Sequence, residues 1–246
     1  KGITVNFAGL KGGATGDQIK NDPGFVRTRE NMNEFAACAL AGKSIRVGLN
    51  MLMKQMSDAQ LTGRLTGIMK KINLEDQTEA RGYRAILIST QSKYLLGLNF
   101  NRNISFDSSF IAPFELAANA NRNSSTLTIP AFSPSKSVIF PAGATHFRLI
   151  NAVSVISDFA FNATTGIYEP IQPALNETSN VAYSAYLDIN LDIAAATVIA
   201  SALPGAPVMT EDVTVLNSVG IEFYQKAGND YYILNAGHAL KIQSIF

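Results

Sequence analysis

Two hydrophobic periods divide the chain. Phe35, Cys38, Gly42, Ile45, Leu49, Leu52 and Met56 recur at steps of three and four. That spacing places side chains in one stripe along an α-helix. Asn21 or Asp22 can cap such a helix, and Pro23 suits its first turn, where no amide hydrogen is needed. The pattern predicts a helix from residue 23 to about Met56. The segment SDAQ, residues 57–60, supplies a turn and a new cap. Leu61, Leu65, Ile68 and Ile72 then form a second stripe. Two matching stripes with a short joint predict a helical hairpin over residues 21–82.

Beyond Tyr83 the period falls to two. Strands are expected near 84–89, 94–99, 125–129, 146–156, 182–191, 213–225, 230–234 and 240–246. Within 182–191, Tyr183, Ala185, Leu187, Ile189 and Leu191 fall on one side. AGNDY at 227–231, NAG at 235–237 and PAGAT at 141–145 mark turns, and the hairpins of 220–246 are the firmest part of this pattern. Residues 83–246 therefore read as an antiparallel β-sandwich of Greek-key or jelly-roll type. Before the hairpin, residues 1–20 read as an extended N-terminal arm. Ile3, Val5 and Phe7 alternate in a short β-type run, and Gly9, Gly12, Gly13 and Gly16 form a flexible joint. The fold class predicted is α+β.

Composition sharpens this picture. A hydrophobic content of 47% can supply a sizeable core. A net charge of +1 argues against nucleic acid as the main partner. The charge is unevenly placed: residues 1–84 hold 13 Lys and Arg against 8 Asp and Glu, and residues 85–246 hold 7 against 11. Eight of the nine prolines lie in the second part, which sets a domain boundary near Gly82. The longest apolar run, Ile193 to Val208, is interrupted by Pro204 and Gly205, so no membrane span is expected. Lys1 in place of Met suggests a trimmed or processed chain, with a leader left open.

Candidate chemistry is sparse, and neither an enzymatic activity nor a cofactor or metal is expected. Cys38 is the single cysteine, which excludes an intramolecular disulfide and a multi-cysteine zinc site. It lies on the helical stripe as small apolar filler. His146 and His238 are too few for a histidine-rich metal site and read as surface or turn residues. LKGGATGDQ lacks the Gly-Lys-Ser/Thr ending of a phosphate loop, and no Gly-x-Ser-x-Gly elbow occurs. Asp188 and Asp192 read as solvent-facing rather than as a carboxylate dyad or calcium site. The sequons at Asn103, Asn123, Asn162 and Asn176 read as exposed polar loops.

One stretch gathers charge: DPGFVRTRENMNEF. Asp22, Pro23, Phe25, Arg27, Thr28, Arg29, Glu30, Asn31, Glu34 and Phe35 form the pattern DPxFxRTREN..EF. AGKSIR, TGRLTGIMKKI and, near the end, YYILNAGHALKIQSI accompany it. In these segments the chain resembles a family of uncharacterised proteins common in Bacteroidota. The resemblance implies a bacterial source and no mechanism. Read physically, Arg27 and Glu30 at i and i+3 can pair on one helix face, which is worth only about 0.2–0.5 kcal/mol.

Arm, charge asymmetry and bare strand edges together predict a structural subunit that assembles with copies of itself, as a filament, pilus-like appendage or shell. The arm would add a strand to a neighbour's sheet, and opposite charge would favour head-to-tail contact. The expected interface residues are Ile3, Val5, Phe7, Arg27, Arg29, Glu30 and Glu34. An extracellular or cell-surface setting is favoured, with a host or surface partner possible. The alternative is an adhesion module that recognises glycan or protein through loop aromatics such as Phe106, Phe110, Phe114, Phe159, Phe161 and Tyr168. Core packing is the plainer role for those rings.

Overall fold

The computed structural model of the chain describes residues 13–246. The arm residues Ile3, Val5 and Phe7 lie outside this range. The helices are α1 (Gly16–Asn21), α2 (Val26–Gly48), α3 (Asn50–Met56), α4 (Leu61–Glu75), α5 (Ile88–Gln91), α6 (Phe106–Ser109) and α7 (Pro134–Ser137). The strands are β1 (Glu115–Ala118), β2 (Ser124–Ile129), β3 (His146–Ser157), β4 (Phe159–Asn162), β5 (Ile167–Pro170), β6 (Ser179–Tyr183), β7 (Leu187–Asp188), β8 (Thr197–Ala202), β9 (Val213–Ala227), β10 (Asp230–Ile233) and β11 (Ala239–Ile245). The class is α+β, with every strand pair antiparallel.

The single long helix expected from residue 23 is divided. Thr15 opens α1 with a capping box, its hydroxyl accepting from Gln18 N while Gln18 Oε1 accepts from Thr15 N. The Asp22 carboxylate accepts from Gly24 N at 2.7 Å and starts a 3₁₀ turn, Pro23–Phe25, that leads into α2. A second break falls at Leu49, directly after Gly48, a poor helix former. The stripe itself is sound: Cys38, Gly42, Ile45, Leu49, Leu52 and Met56 are buried. Gly42 lets α2 and α4 approach closely, since a Cβ there would lie 3.2 Å from Leu65 Cβ. Phe35 departs from the expectation and is 60% exposed. The inward position beside it belongs to Glu34, a charged residue that a hydropathy pattern places outside.

The central sheet runs β10-β9-β3-β6, with β11 also on β9 and β7 also on β3. The long pair β3–β9 forms its spine, from His146 opposite Tyr224 to Ser157 opposite Val213. One face of this sheet carries Ile150, Ala152, Ile156, Leu216, Leu240 and Ile242 against α2, α3 and α4, in a core that draws on both sides of Gly82. The other face carries Phe147, Leu149, Val219, Ile221 and Phe223. It packs on a second sheet, β1-β2-β8, and on a cluster of phenylalanines. The order is helices, central sheet, small sheet. Both faces of the spine are therefore covered, which is why β3 and β9 read as nearly continuous apolar runs.

Several strand assignments change. Residues 84–89 make one bridge, Ile86 to Phe159, and then enter α5. Residues 94–99 form a turn and loop, and their end bonds the outer edge of β11 through Gly97 N to Ile242 O and Phe100 N to Leu240 O, both 2.9 Å. The expected strand 182–191 breaks into β6 and β7 at Ser184, whose hydroxyl accepts from Leu149 N at 2.9 Å. Strands β1, β4, β5 and β8 were not expected. All are short, and β8 lies inside the apolar run that Pro204 interrupts.

Gly220 sits on the spine where β11 crosses close. A Cβ there would lie 2.9 Å from Ala239 O and from Leu240 Cδ1. The carbonyl belongs to a paired strand and cannot step aside. Gly220→Ala is expected to destabilise the fold by about 1–3 kcal/mol, the usual range for overpacking. Chemical denaturation checks it, with a shifted midpoint at an unchanged slope.

Candidate functional site

The charged stretch of α2 meets the loop of residues 76–86, and the two are tied together residue by residue. Arg27 Nη1 and Arg81 Nε both approach Glu30 Oε2 at 3.3 Å. Arg81 also donates to Asn31 Oδ1 at 3.1 Å. The i, i+3 pair expected from the sequence is present, but its carboxylate is shared with an arginine from the loop. Arg29 turns the other way and donates to Ile19 O at 2.7 Å and Asp22 O at 3.0 Å, closing the end of α1.

Glu34 is 1% exposed. Lys70 donates to one oxygen and Gly82 N, at 2.7 Å, to the other. Asn33 Nδ2 donates to Gly82 O at 2.6 Å, and Lys70 also reaches Asn73 Oδ1 at 2.8 Å. Glu34 is thus a fastening inside the chain, and its carboxylate is engaged before any neighbour arrives. Of the four charged interface candidates, Arg27, Arg29 and Glu30 lie at the surface or half-buried, and Glu34 does not. Gly82 has φ +93°, and a Cβ there would lie 2.9 Å from Glu30 Cγ, so only glycine fits this crossing without strain.

Three hollows surround these ties. One of about 550 Å³ is lined by Val26, Arg29, Glu30, Asn33, Tyr83 and Phe161, among others. One of about 630 Å³ lies on the far side of Tyr83 and Phe161, whose rings meet edge to face at 4.7 Å. The third, about 390 Å³, lies between α2 and α4 and is lined by Thr28, Asn31, Met32, Phe35 and Lys70. Met32, at 57%, and Phe35 stand out from the surface beside it. This apolar flank was missed in the sequence because Phe35 fitted the buried stripe.

Comparison of the chain with protein families, curated proteins and solved structures finds no match. The geometry therefore carries the functional argument.

The other candidates are structural in position. Phe106, Phe110, Phe159 and Tyr168 are buried, and Phe114 and Phe161 are half-buried against them. His238, expected at the surface or in a turn, is buried, and its Nδ1 accepts from Phe223 N at 3.2 Å. His146 is half-buried; Thr145 Oγ1 lies 3.0 Å from its Nδ1, and Asp188 lies 3.9 Å from its Nε2. Asp192 is exposed. Asn123, expected in an open loop, is buried and donates to Pro207 O, while Asn176 accepts from Ser157 N. Burial pushes the Cys38 thiol up to about 12, which leaves it unreactive at neutral pH. Among the described residues no group of His, Cys, Asp and Glu could hold a metal ion, and no helix is long and apolar enough to cross a membrane.

The carboxylates predict a pH response. Burial pushes Glu34, Asp58 and Asp76 up, but hydrogen bonds, joined at Glu34 and Asp58 by nearby cations, more than offset it, and all three end below their ordinary values of 4.5 and 3.8. A depressed carboxylate stabilises the fold above its unfolded value and loses that contribution as pH falls through the folded one. Asp158 runs the opposite way. Burial raises it, against the donors on Ser89, so protonation relieves it as pH falls. Melting temperature is expected to hold from pH 7 to 5 and fall below about pH 4. In Asp158→Asn the fall should be steeper, because the opposing group is gone. Thermal melts of both proteins from pH 7 to 3 check this.

Proposed function

We propose that the chain is a structural subunit that assembles with copies of itself into a filament, appendage or shell, the arm of one copy adding a strand to the sheet of the next. The observation that carries this is the exposed edge of the small sheet. Among the described residues β8 pairs with β2 alone; it is six residues long and holds neither charge nor proline. Natural edge strands are usually blunted by charge, proline or bulges. The alternating Ile3, Val5 and Phe7 are the residues to pair there. On the same footing we read the β part as a sandwich of Greek-key or jelly-roll type, supported by the core that the two sheets share. An extracellular or cell-surface setting belongs to this proposal.

The test is competition. A synthetic peptide of residues 1–12 added in excess to the full chain is expected to occupy the receiving edge and shorten the assemblies seen by light scattering. A scrambled peptide of the same composition should have no effect. Assemblies equally insensitive to both peptides would count against strand donation.

A further inference from the structure

The two outer layers each leave a face that nothing in the described chain covers. On the helical layer this is the flank of α2 and α4, where Met32, Phe35 and Leu74 are 57%, 60% and 50% exposed. Its bordering charges are Arg27, Lys70, Lys71 and Arg81. Glu30 is shared by Arg27 and Arg81, Glu34 lies beneath Lys70, and Glu75, next to Leu74, accepts from Tyr94, so four cations border the flank against three carboxylates.

On the far layer it is the outer face of β1-β2-β8. Cross-strand rows place Glu115, Thr128 and Val198 side by side, and Ala117, Thr126 and Ala200 beside them. Val198 is 60% exposed, and Ala117 and Ala200 are exposed. An antiparallel sheet with one face to water alternates apolar inward with polar outward. Here the outward row holds Ala, Val and Thr, and its charge is Glu115. Asp192 lies exposed on the segment that leads into β8.

We propose that these two faces meet, the α2–α4 flank of one copy docking on the outer face of β1-β2-β8 of the next. The inference rests on the assembly reading and names the surfaces that assembly uses. Charge selects the pairing. A flank-to-flank contact would set this net positive border against its own copy, and a sheet-to-sheet contact would set Glu115 and Asp192 against theirs. The mixed contact brings opposite signs together. Geometry selects the outcome. The faces lie on opposite sides of the central sheet, so a docked pair still offers one free flank at one end and one free sheet face at the other. A heterologous contact of this kind propagates from copy to copy and does not close on a two-fold axis. A flat sheet of small side chains also accepts protruding Met32 and Phe35 without a pocket.

Cysteine cross-linking tests the pairing in the full chain. The native Cys38 is buried and silent at neutral pH. Thr28→Cys at the rim of the flank and Ala200→Cys on the sheet face, treated with a short bismaleimide, are expected to give covalent mixed dimers when combined. Neither variant alone should form dimers. Dimers within one variant alone would overturn the proposal in favour of a two-fold contact. So would the absence of mixed dimers in samples where light scattering shows polymers. A full chain that shows no polymers by light scattering at any concentration would overturn the assembly reading itself, and this pairing with it.

Discussion

Replacing Glu34 with leucine is expected to lower stability by about 3 kcal/mol or more, although leucine is the more apolar residue and the site is buried. Removing one member of a buried ion pair strands the other. Here two donors lose their acceptor: Lys70 and the amide of Gly82, which sits 2.7 Å from the carboxylate. Gly82 is held at φ +93° by this bond and by Asn33. Tyr168 donates to Gly82 O and Arg84 O from the other side. The loss should therefore show locally as well as globally, as faster amide exchange at residues 82–86. Glu34→Gln keeps an acceptor for Gly82 and should recover part of the loss. Urea unfolding of the three proteins orders them wild type, Gln, Leu; equal midpoints for Leu and wild type would show that the tie is not structural.

The second large effect is expected at Asn151, which is fully buried between the two sheets. Its Oδ1 accepts from Asn217 Nδ2 at 2.7 Å and from Ser125 Oγ at 3.1 Å. Its Nδ2 donates to Ile199 O at 2.9 Å and Ser125 O at 3.2 Å. One side chain thus links β3 to β2, β8 and β9. Asn151→Leu leaves these partners buried without a mate, and each such orphan costs about 1–3 kcal/mol. We expect a loss of about 3 kcal/mol by denaturant titration, since some partners will find new bonds. The pair Asn151→Leu with Ser125→Ala should lose less than the two single losses added, because the partners share one network.

These two residues also show where sequence pattern stops. The helical stripe was legible because apolar spacing and helical period agree from Cys38 to Met56. Phe35 was misplaced because Glu34 takes the inward position, and a buried carboxylate is invisible until Lys70, thirty-six residues away, supplies its charge. The long strands β3 and β9 were legible from β-branched runs and from turns. β4 and β5 were not, since Phe159, Phe161 and Tyr168 resemble loop aromatics until their hairpin folds them onto α2 and the core. The Arg27–Glu30 pair follows from local spacing. Its second arginine, Arg81, comes from a loop whose position is set by Gly82, Asp76 and Asn73 together, and no local rule contains that. The apolar flank of α2 was hidden for the same reason: whether Phe35 faces in or out depends on which neighbour is buried.

The most direct test of the assembly account is electron microscopy of negatively stained full-length chain beside a chain lacking residues 1–12. That deletion leaves Thr15 and the capping box of α1 in place, so the fold should survive it, as a matching circular dichroism spectrum and melt would confirm. The account predicts regular polymers from the full chain and small, separate particles from the shortened one. Monodisperse particles of one size in both samples would contradict it.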